Sequence, residues 1–345
     1  MKAVQITEPD QVEMVELAMP LPEPDEVLIR SRAVGLGESD ANLYHGTRSE
    51  NFYRYPIVPG HAWSGEVVVV GERVQNVEPG SKAVVESLVF CGMCRNCRSG
   101  ETNSCERGYD ELGFTRSGGL AEYVTVPERL VHVLPHMASF EEGALLVYAA
   151  TVAHAFQQAR LLPGDTVAVV GDDVANLLAV QVAHLFSPTV IVMVGFREGR
   201  LELGRSFGAT HTVNISREDP QALVRSLSSG RGADISFEGT GQAQAAVEAM
   251  LLARRGGTVL LEGAISSNSL LSVESDIFVR NQLRVLGILG ANSAAWSYAV
   301  HLYQSGLLKL SPLISHHFVL SEYQDAFDTL IGRQGKTLQV VITLP

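Results

Sequence analysis

The chain has 345 residues, of which 46% are apolar and 19% charged, with a formal net charge of −12. That length suits two domains rather than one, and that composition buries sizeable cores, which excludes a disordered chain. With 26 basic residues against 38 acidic ones and no Lys/Arg run, no nucleic-acid partner is expected.

The start, Met1-Lys2-Ala3-Val4-Gln5-Ile6, reads as a strand followed by acidic residues and lacks the pattern of a signal peptide, so a cytoplasmic protein is expected. Through the first 150 or so residues glycine, proline and short β-like runs predict an antiparallel β domain with little helix. Examples are Glu26–Arg30, Gly65–Val70 and Leu120–Val126. From Asp165 the texture changes. Strand Asp165–Val170 leads into a helical run from Val174 to Leu185, then strand Val190–Val194, helix Glu198–Phe207 and a short strand around His211–Val213. Helix Pro220–Leu227, strand Asp234–Glu238, helix Gln244–Ala253 and strand Gly257–Leu261 follow. Such alternation predicts a parallel sheet covered on both faces. The tail offers helix Ala294–Ser305, helix Glu322–Ile331 and strand Thr337–Leu344. The expected division is 1–149, 150–288 and a return to the first domain over 289–345. The most apolar stretch, Val180 to Val194, is interrupted by Gln181, His184, Ser187 and Pro188, so no membrane span is expected.

All four cysteines, Cys91, Cys94, Cys97 and Cys105, fall in one short loop with Gly92 and Gly100 inside it. Two disulfides so close together belong to small secreted domains, so a metal is the better reading. Four thiolates in a closed tetrahedral set suit structural zinc, with an iron–sulfur cluster as the rival.

This spacing, inside a β domain and ahead of a doubly wound one, resembles the structural zinc lobe of zinc-containing medium-chain dehydrogenases, the alcohol and polyol dehydrogenase family. Pro59-Gly60-His61, Ser64-Gly65-Glu66-Val67 and Gly118-Gly119-Leu120-Ala121-Glu122-Tyr123 resemble further family segments, as do Ser305-Gly306-Leu307 and Asp325-Ala326-Phe327. The resemblance implies an α/β protein: a Rossmann-type parallel-sheet domain plus a GroES-like antiparallel β domain with a structural zinc lobe. It implies a small-molecule substrate, and a homodimer or homotetramer.

The resemblance also shows what is missing. The family's catalytic zinc takes a cysteine from Gly-x-Cys-Gly-Ser-Asp-x-His, a histidine from Gly-His-Glu and a further Cys, Asp or Glu. Those positions fall here on Gly37, on His61 with Ala62 beside it, and near Val147, while Asn42 stands at the relay histidine. One imidazole does not hold a catalytic zinc, which needs three protein ligands. Glu38, Asp40 and Glu66 are the residues that could rebuild a site with His61; solvated or hydrogen-bonded carboxylates are the expectation. Without the Lewis acid a side chain must protonate or hydrogen-bond the hydride acceptor. Ser39, Tyr44, Tyr53, Tyr55 and Tyr148 are candidates, with Ser39, His61 and Tyr148 placed at the site.

For the cofactor, the family's Gly-x-Gly-x-x-Gly becomes Gly171-Asp172-Asp173-Val174-Ala175-Asn176. Asp173 and Asn176 replace two glycines, and N-capping by Asp172 or Asp173 would occupy donors that phosphate uses. After strand Val190–Val194, Gly195-Phe196-Arg197 replaces the acidic residue of NAD-binding members and resembles NADP-preferring ones. Thr151, Gly171, Gly195, Arg197, Thr240 and Gly263 are the expected cofactor contacts. Two functions follow: an NADP(H)-dependent oxidoreductase without catalytic zinc acting on a small carbonyl, imine or activated alkene, or a non-redox descendant.

Overall fold

The computed structural model describes residues 1–263, 270–332 and 337–345. The chain forms two compact units, one of Met1–Ala150 with Gly290–Pro345 and the other of Thr151–Leu289. Its strands in order are β1 Lys2–Glu8, β2 Gln11–Glu16, β3 Glu26–Leu36, β4 Ala62–Val70, β5 Lys82–Val85, β6 Tyr123–Pro127 and β7 Val131–Leu134. They continue with β8 Thr166–Val170, β9 Val190–Gly195, β10 His211–Asn214, β11 Ala233–Glu238, β12 Ala253–Leu261, β13 Arg284–Gly287, β14 Ile314–Val319 and β15 Gln339–Thr343.

In the first unit β1 and β2 make a hairpin, and a seven-stranded sheet runs β14-β15-β3-β4-β5-β7 with β6 paired to β3. Every pairing in that sheet is antiparallel except β14 with β15. Its core gathers Ile6, Leu36, Trp63, Phe114, Leu130 and Phe327. The central strand β3 reads Glu-Val-Leu-Ile-Arg-Ser-Arg-Ala-Val-Gly-Leu and buries most of its length, so it carries both the core and the turn at Gly37.

The second unit is a six-stranded sheet of order β10-β9-β8-β11-β12-β13, parallel throughout. Every residue of β8 and β9 is buried, as β-branched strands covered by helices on both faces must be. The order turns outward in both directions from the β8–β11 pair, and that reversal is where doubly wound sheets take ligands at their carboxyl ends.

β13 and β14 were not expected from the sequence. Both are edge strands, β13 nowhere fully buried and β14 alternating between partly buried and exposed positions, so neither has the continuous apolar run that marks a buried parallel strand. Among the described residues no helix is long and apolar enough to cross a membrane.

Candidate active site

The first unit holds the metal-ligand positions of the resemblance. Gly37 follows β3 and sits before the helix Glu38–Tyr44, in extended backbone with φ −131°. Tyr148 lies on the helix Leu146–Ala159. A Cβ built at position 37 would fall 2.6 Å from Tyr148 Oη. The phenol hydroxyl therefore fills the space into which a side chain at 37 would project, so a larger residue there displaces it.

His61 neighbours the Tyr148 ring. Its ring meets the Tyr148 ring edge-on at a centroid distance of 6.0 Å, and Phe114 packs on it at 5.0 Å. Asp40, fully buried, stands with Oδ2 3.7 Å from His61 Nδ1 and accepts the Gly37 N–H at 3.0 Å. Burial pulls the imidazole pKa down, but the neighbouring carboxylate of Asp40, with the charge of Glu111, outweighs it and leaves the pKa raised above 6.5. Beyond Phe114 the buried Arg48 lies over that ring at 3.7 Å and donates to Tyr109 Oη at 3.0 Å. Gln339 completes the wall, its Nε2 donating to Leu36 O at 3.1 Å.

The other hydroxyl candidates stand elsewhere. Tyr44 donates to Asp10 O at 2.8 Å, Tyr55 is bound to Leu43 O, and Tyr53 packs against Tyr55 with the rings tilted. Ser39 is on the first turn of the helix Glu38–Tyr44 and is partly exposed. Among the described residues the four cysteines are the one group of three or more His, Cys, Asp or Glu close enough to share a metal ion. Glu38 and Glu66 do not join His61 and Asp40 in such a group. Ala62 and Val147 are both buried and offer no donor.

The cysteine lobe fits a closed metal site. All four Sγ atoms lie within 4.8 Å of one another, with Cys94–Cys97 at 3.3 Å and Cys91–Cys97 and Cys94–Cys105 at 4.0 Å. Tetrahedral zinc with Zn–S of ~2.3 Å asks for sulfur separations of about 3.8 Å. Backbone N–H groups of Met93 and Cys94 point at Cys91 Sγ, each at 3.4 Å, and bring that thiol down to about 6. Burial pushes Cys97 up to about 12, a penalty that a bound divalent cation reverses.

In the second unit the glycine-rich turn departs from expectation. Asp173 occupies the N-cap position of the helix Val174–Leu185 but makes no capping hydrogen bond; its carboxylate turns to Arg200 at 2.6 Å. The anticipated occupation of the helix donors by Asp173 is thus incorrect, because a guanidinium outcompetes the backbone N–H groups for that carboxylate. Asp172 is buried and takes four donors: the N–H groups of Phe196 at 2.8 Å and Arg197 at 2.9 Å, Arg197 Nη1 at 2.5 Å and Arg200 Nη1 at 3.2 Å. A Cβ at Gly195 would lie 2.9 Å from Asp172 Oδ2, so this aspartate occupies the space of a side chain at 195. Arg197 is accordingly an ion-paired residue, with its side chain still 38% exposed.

Asn176 is fully buried. It fills room left by Gly171, where a Cβ would fall 2.3 Å from Asn176 Nδ2. Gly171 has φ 121°, which only glycine adopts without strain. Thr240 donates its N–H and Oγ1 to Glu238 Oε1, both at 2.6 Å. A Cβ at Gly263 would lie 1.9 Å from Gly241 N, so two loops meet there as bare backbone. Thr151 is buried on the helix Leu146–Ala159. No side chain caps the start of the helix Val174–Leu185 beside Gly171.

The chain resembles known proteins along almost its whole length. Residues 23–136 match the alcohol dehydrogenase GroES-like domain, and residues 176–305 match the zinc-binding dehydrogenase domain. The erythritol/L-threitol dehydrogenase of Mycolicibacterium smegmatis is 30% identical over 360 residues, covering 100% of this chain and 98% of the relative. The sorbitol dehydrogenase of Bacillus subtilis is 28% identical over 344 residues, covering 99% and 97%. Among solved structures, the alcohol dehydrogenase TADH from Thermus sp. ATN1 superposes with a TM-score of 0.90 at 28% identity, covering all of both chains. A zinc-binding dehydrogenase from Sinorhizobium meliloti, bound to NADP, gives 0.88 at 28% identity, covering 99% and 98%. The chain belongs to the medium-chain, zinc-type alcohol dehydrogenase family. It is an alcohol-dehydrogenase-like oxidoreductase.

Proposed function

We propose that the protein is an NADP(H)-dependent reductase of a small carbonyl, imine or activated alkene that works without catalytic zinc. The observation that carries this reading is the Tyr148 hydroxyl standing where a side chain at position 37 would project. At the position of the family's thiolate ligand the chain supplies a proton-bearing group instead of a Lewis-acid ligand. A nicotinamide cofactor, when bound, supplies the hydride. Tyr148 Oη then gives a proton or hydrogen bond to the atom that gains charge. His61, kept in reach of a proton by buried Asp40, stands at the phenol's edge and stabilises the phenolate left behind. Gly37, Ala62 and Val147 leave His61 a positioning group rather than one ligand of three.

Support for NADP(H) comes from the used-up carboxylate of Asp172. Its two oxygens offer about four acceptor sites, and four donors already take them. A ribose 2′-hydroxyl finds no free acceptor there, whereas Arg197 keeps guanidinium donors for a 2′-phosphate. Cys91, Cys94, Cys97 and Cys105 hold one structural zinc that pins their loop. Among the described residues β13 ends its sheet, and Val279 and Leu289 are exposed, which supports pairing of copies into a homodimer or homotetramer.

The test joins calorimetry with turnover. NADPH binds more tightly than NADH, and Tyr148→Phe lowers kcat by about 10²–10⁴-fold while leaving NADPH affinity in place. His61→Ala costs less than Tyr148→Phe. Absence of binding for either dinucleotide at millimolar concentration, or full activity in Tyr148→Phe, overturns the reading.

A further inference from the structure

At the carboxyl ends of β11 and β12 two glutamates lie side by side. Glu238 closes β11, and Glu262 follows β12 with its N–H bonded to Glu238 O at 2.9 Å. A Cβ at Gly239 would fall 3.2 Å from Glu262 Oε2 and 3.1 Å from Asn176 Oδ1, so a carboxyl and an amide converge on that glycine. Asn176 is fully buried, and neither its Nδ2 nor its Oδ1 has a hydrogen-bond partner. Glu238 is satisfied differently: its Oε1 receives Thr240 N and Oγ1, and Gly241 N at 2.9 Å. Among the described residues no donor reaches the Glu262 carboxyl.

A doubly wound sheet takes one mononucleotide half of a dinucleotide over each of its halves. The β8–β9 half, with the Gly171 turn and Arg197, receives the adenosine end. The β11–β12 half is left for the nicotinamide end. On that reading, which rests on the dinucleotide binding proposed above, we propose that Glu262 distinguishes the oxidised, positively charged nicotinamide from the reduced, neutral one. It is ionised when the cationic ring is bound and protonated when the neutral ring is bound, the proton passing to and from solvent. Charge then balances in both states: one positive and one negative, or neither.

Burial raises the Glu262 carboxyl well above the usual carboxylate range, and the nearby Glu238 adds to the rise. Burial raises Glu238 too, against the pull of its Thr240 and Gly241 donors, with Asp173 the other charge facing it. Asp173 is itself tied to Arg200. A cation within 4–6 Å lowers a carboxyl by about one to three pKa units. Binding of the oxidised cofactor therefore expels a proton over the pH window between the lowered and the raised values. Affinity for the oxidised form rises with pH through that window and is level above it.

Proton release on binding is measured by titration calorimetry in two buffers of different ionisation enthalpy, with NADP+ and NADPH compared at each pH. Both forms carry the same 2′-phosphate, so its own titration cancels in the difference. The wild-type protein releases more protons with NADP+ than with NADPH. Glu262→Gln abolishes the difference and weakens NADP+ relative to NADPH by about tenfold or more at pH above the window. Equal proton release for the two forms in wild type, which needs no variant to fold, overturns the inference alone. An unchanged difference in Glu262→Gln does so as well. Failure of both forms to bind overturns the dinucleotide reading and this inference with it.

Discussion

Replacing Gly37 with Ala tests the contact on which the zinc-free reading stands. The backbone there is extended, with φ −131°, so alanine brings no conformational strain. Its methyl would nonetheless lie 2.6 Å from Tyr148 Oη, closer than carbon and oxygen pack without bonding. The phenol must shift, and crowding of this kind costs about 1–3 kcal/mol. In Tyr148→Phe the offending oxygen is gone, and the same Gly37→Ala change costs less than about 1 kcal/mol. A double-mutant cycle measured by urea unfolding thus gives a coupling of about 1–2 kcal/mol, of the sign that makes the double variant more stable than the sum. Turnover follows the same logic: Gly37→Ala loses most of what Tyr148→Phe loses, and the double variant loses little more. Additive stabilities, or a Gly37→Ala protein with full turnover, refute the placement of the hydroxyl.

Three further outcomes follow from the same geometry. Cys94→Ser releases the lobe's zinc and exposes the segment 91–105 to proteolysis, read by metal analysis and limited digestion; retained zinc contradicts the four-thiolate assignment. Arg197→Ala removes a charge-assisted contact worth roughly 1.5–3 kcal/mol, one to two decades of affinity, and so erases a preference for NADPH over NADH in calorimetry. His61, with its pKa raised in the fold, adds stability that is full below its ordinary 6.5 and fades as pH climbs through the folded value. The stability gap between wild type and Asp40→Asn should therefore narrow on going from pH 6 to pH 9; a constant gap shows that the pair does not titrate together.

What the sequence made readable follows the range of the interactions concerned. Four cysteines within fifteen positions announce a ligand set because their spacing is local, and their sulfurs converge as four tetrahedral ligands should. The alternation from Asp165 onward announces a parallel sheet because buried strands are apolar throughout. Edge strands such as β14, with His316 and His317 in it, escape that signal. Tyr148 could be marked as adjoining a lost ligand, but its reach to Gly37 links residues 111 positions apart, counting 148 − 37. Asp172 looked like a helix cap in one dimension. Its partners at 196, 197 and 200 come from the turn after the next strand and the helix that follows, and only the sheet brings them together. Arg197 was legible as a missing acid's replacement and not as that aspartate's partner. Gln339 and Arg48, both beside His61's surroundings, had no motif to point to them.

The central claim is that a hydroxyl has replaced the inner metal, and zinc stoichiometry tests it most directly. Elemental analysis of freshly purified protein, taken with turnover before and after a chelator that spares the cysteine lobe, predicts about one zinc per chain and unchanged activity. Two tightly held zincs, with activity lost together with the second, would contradict it.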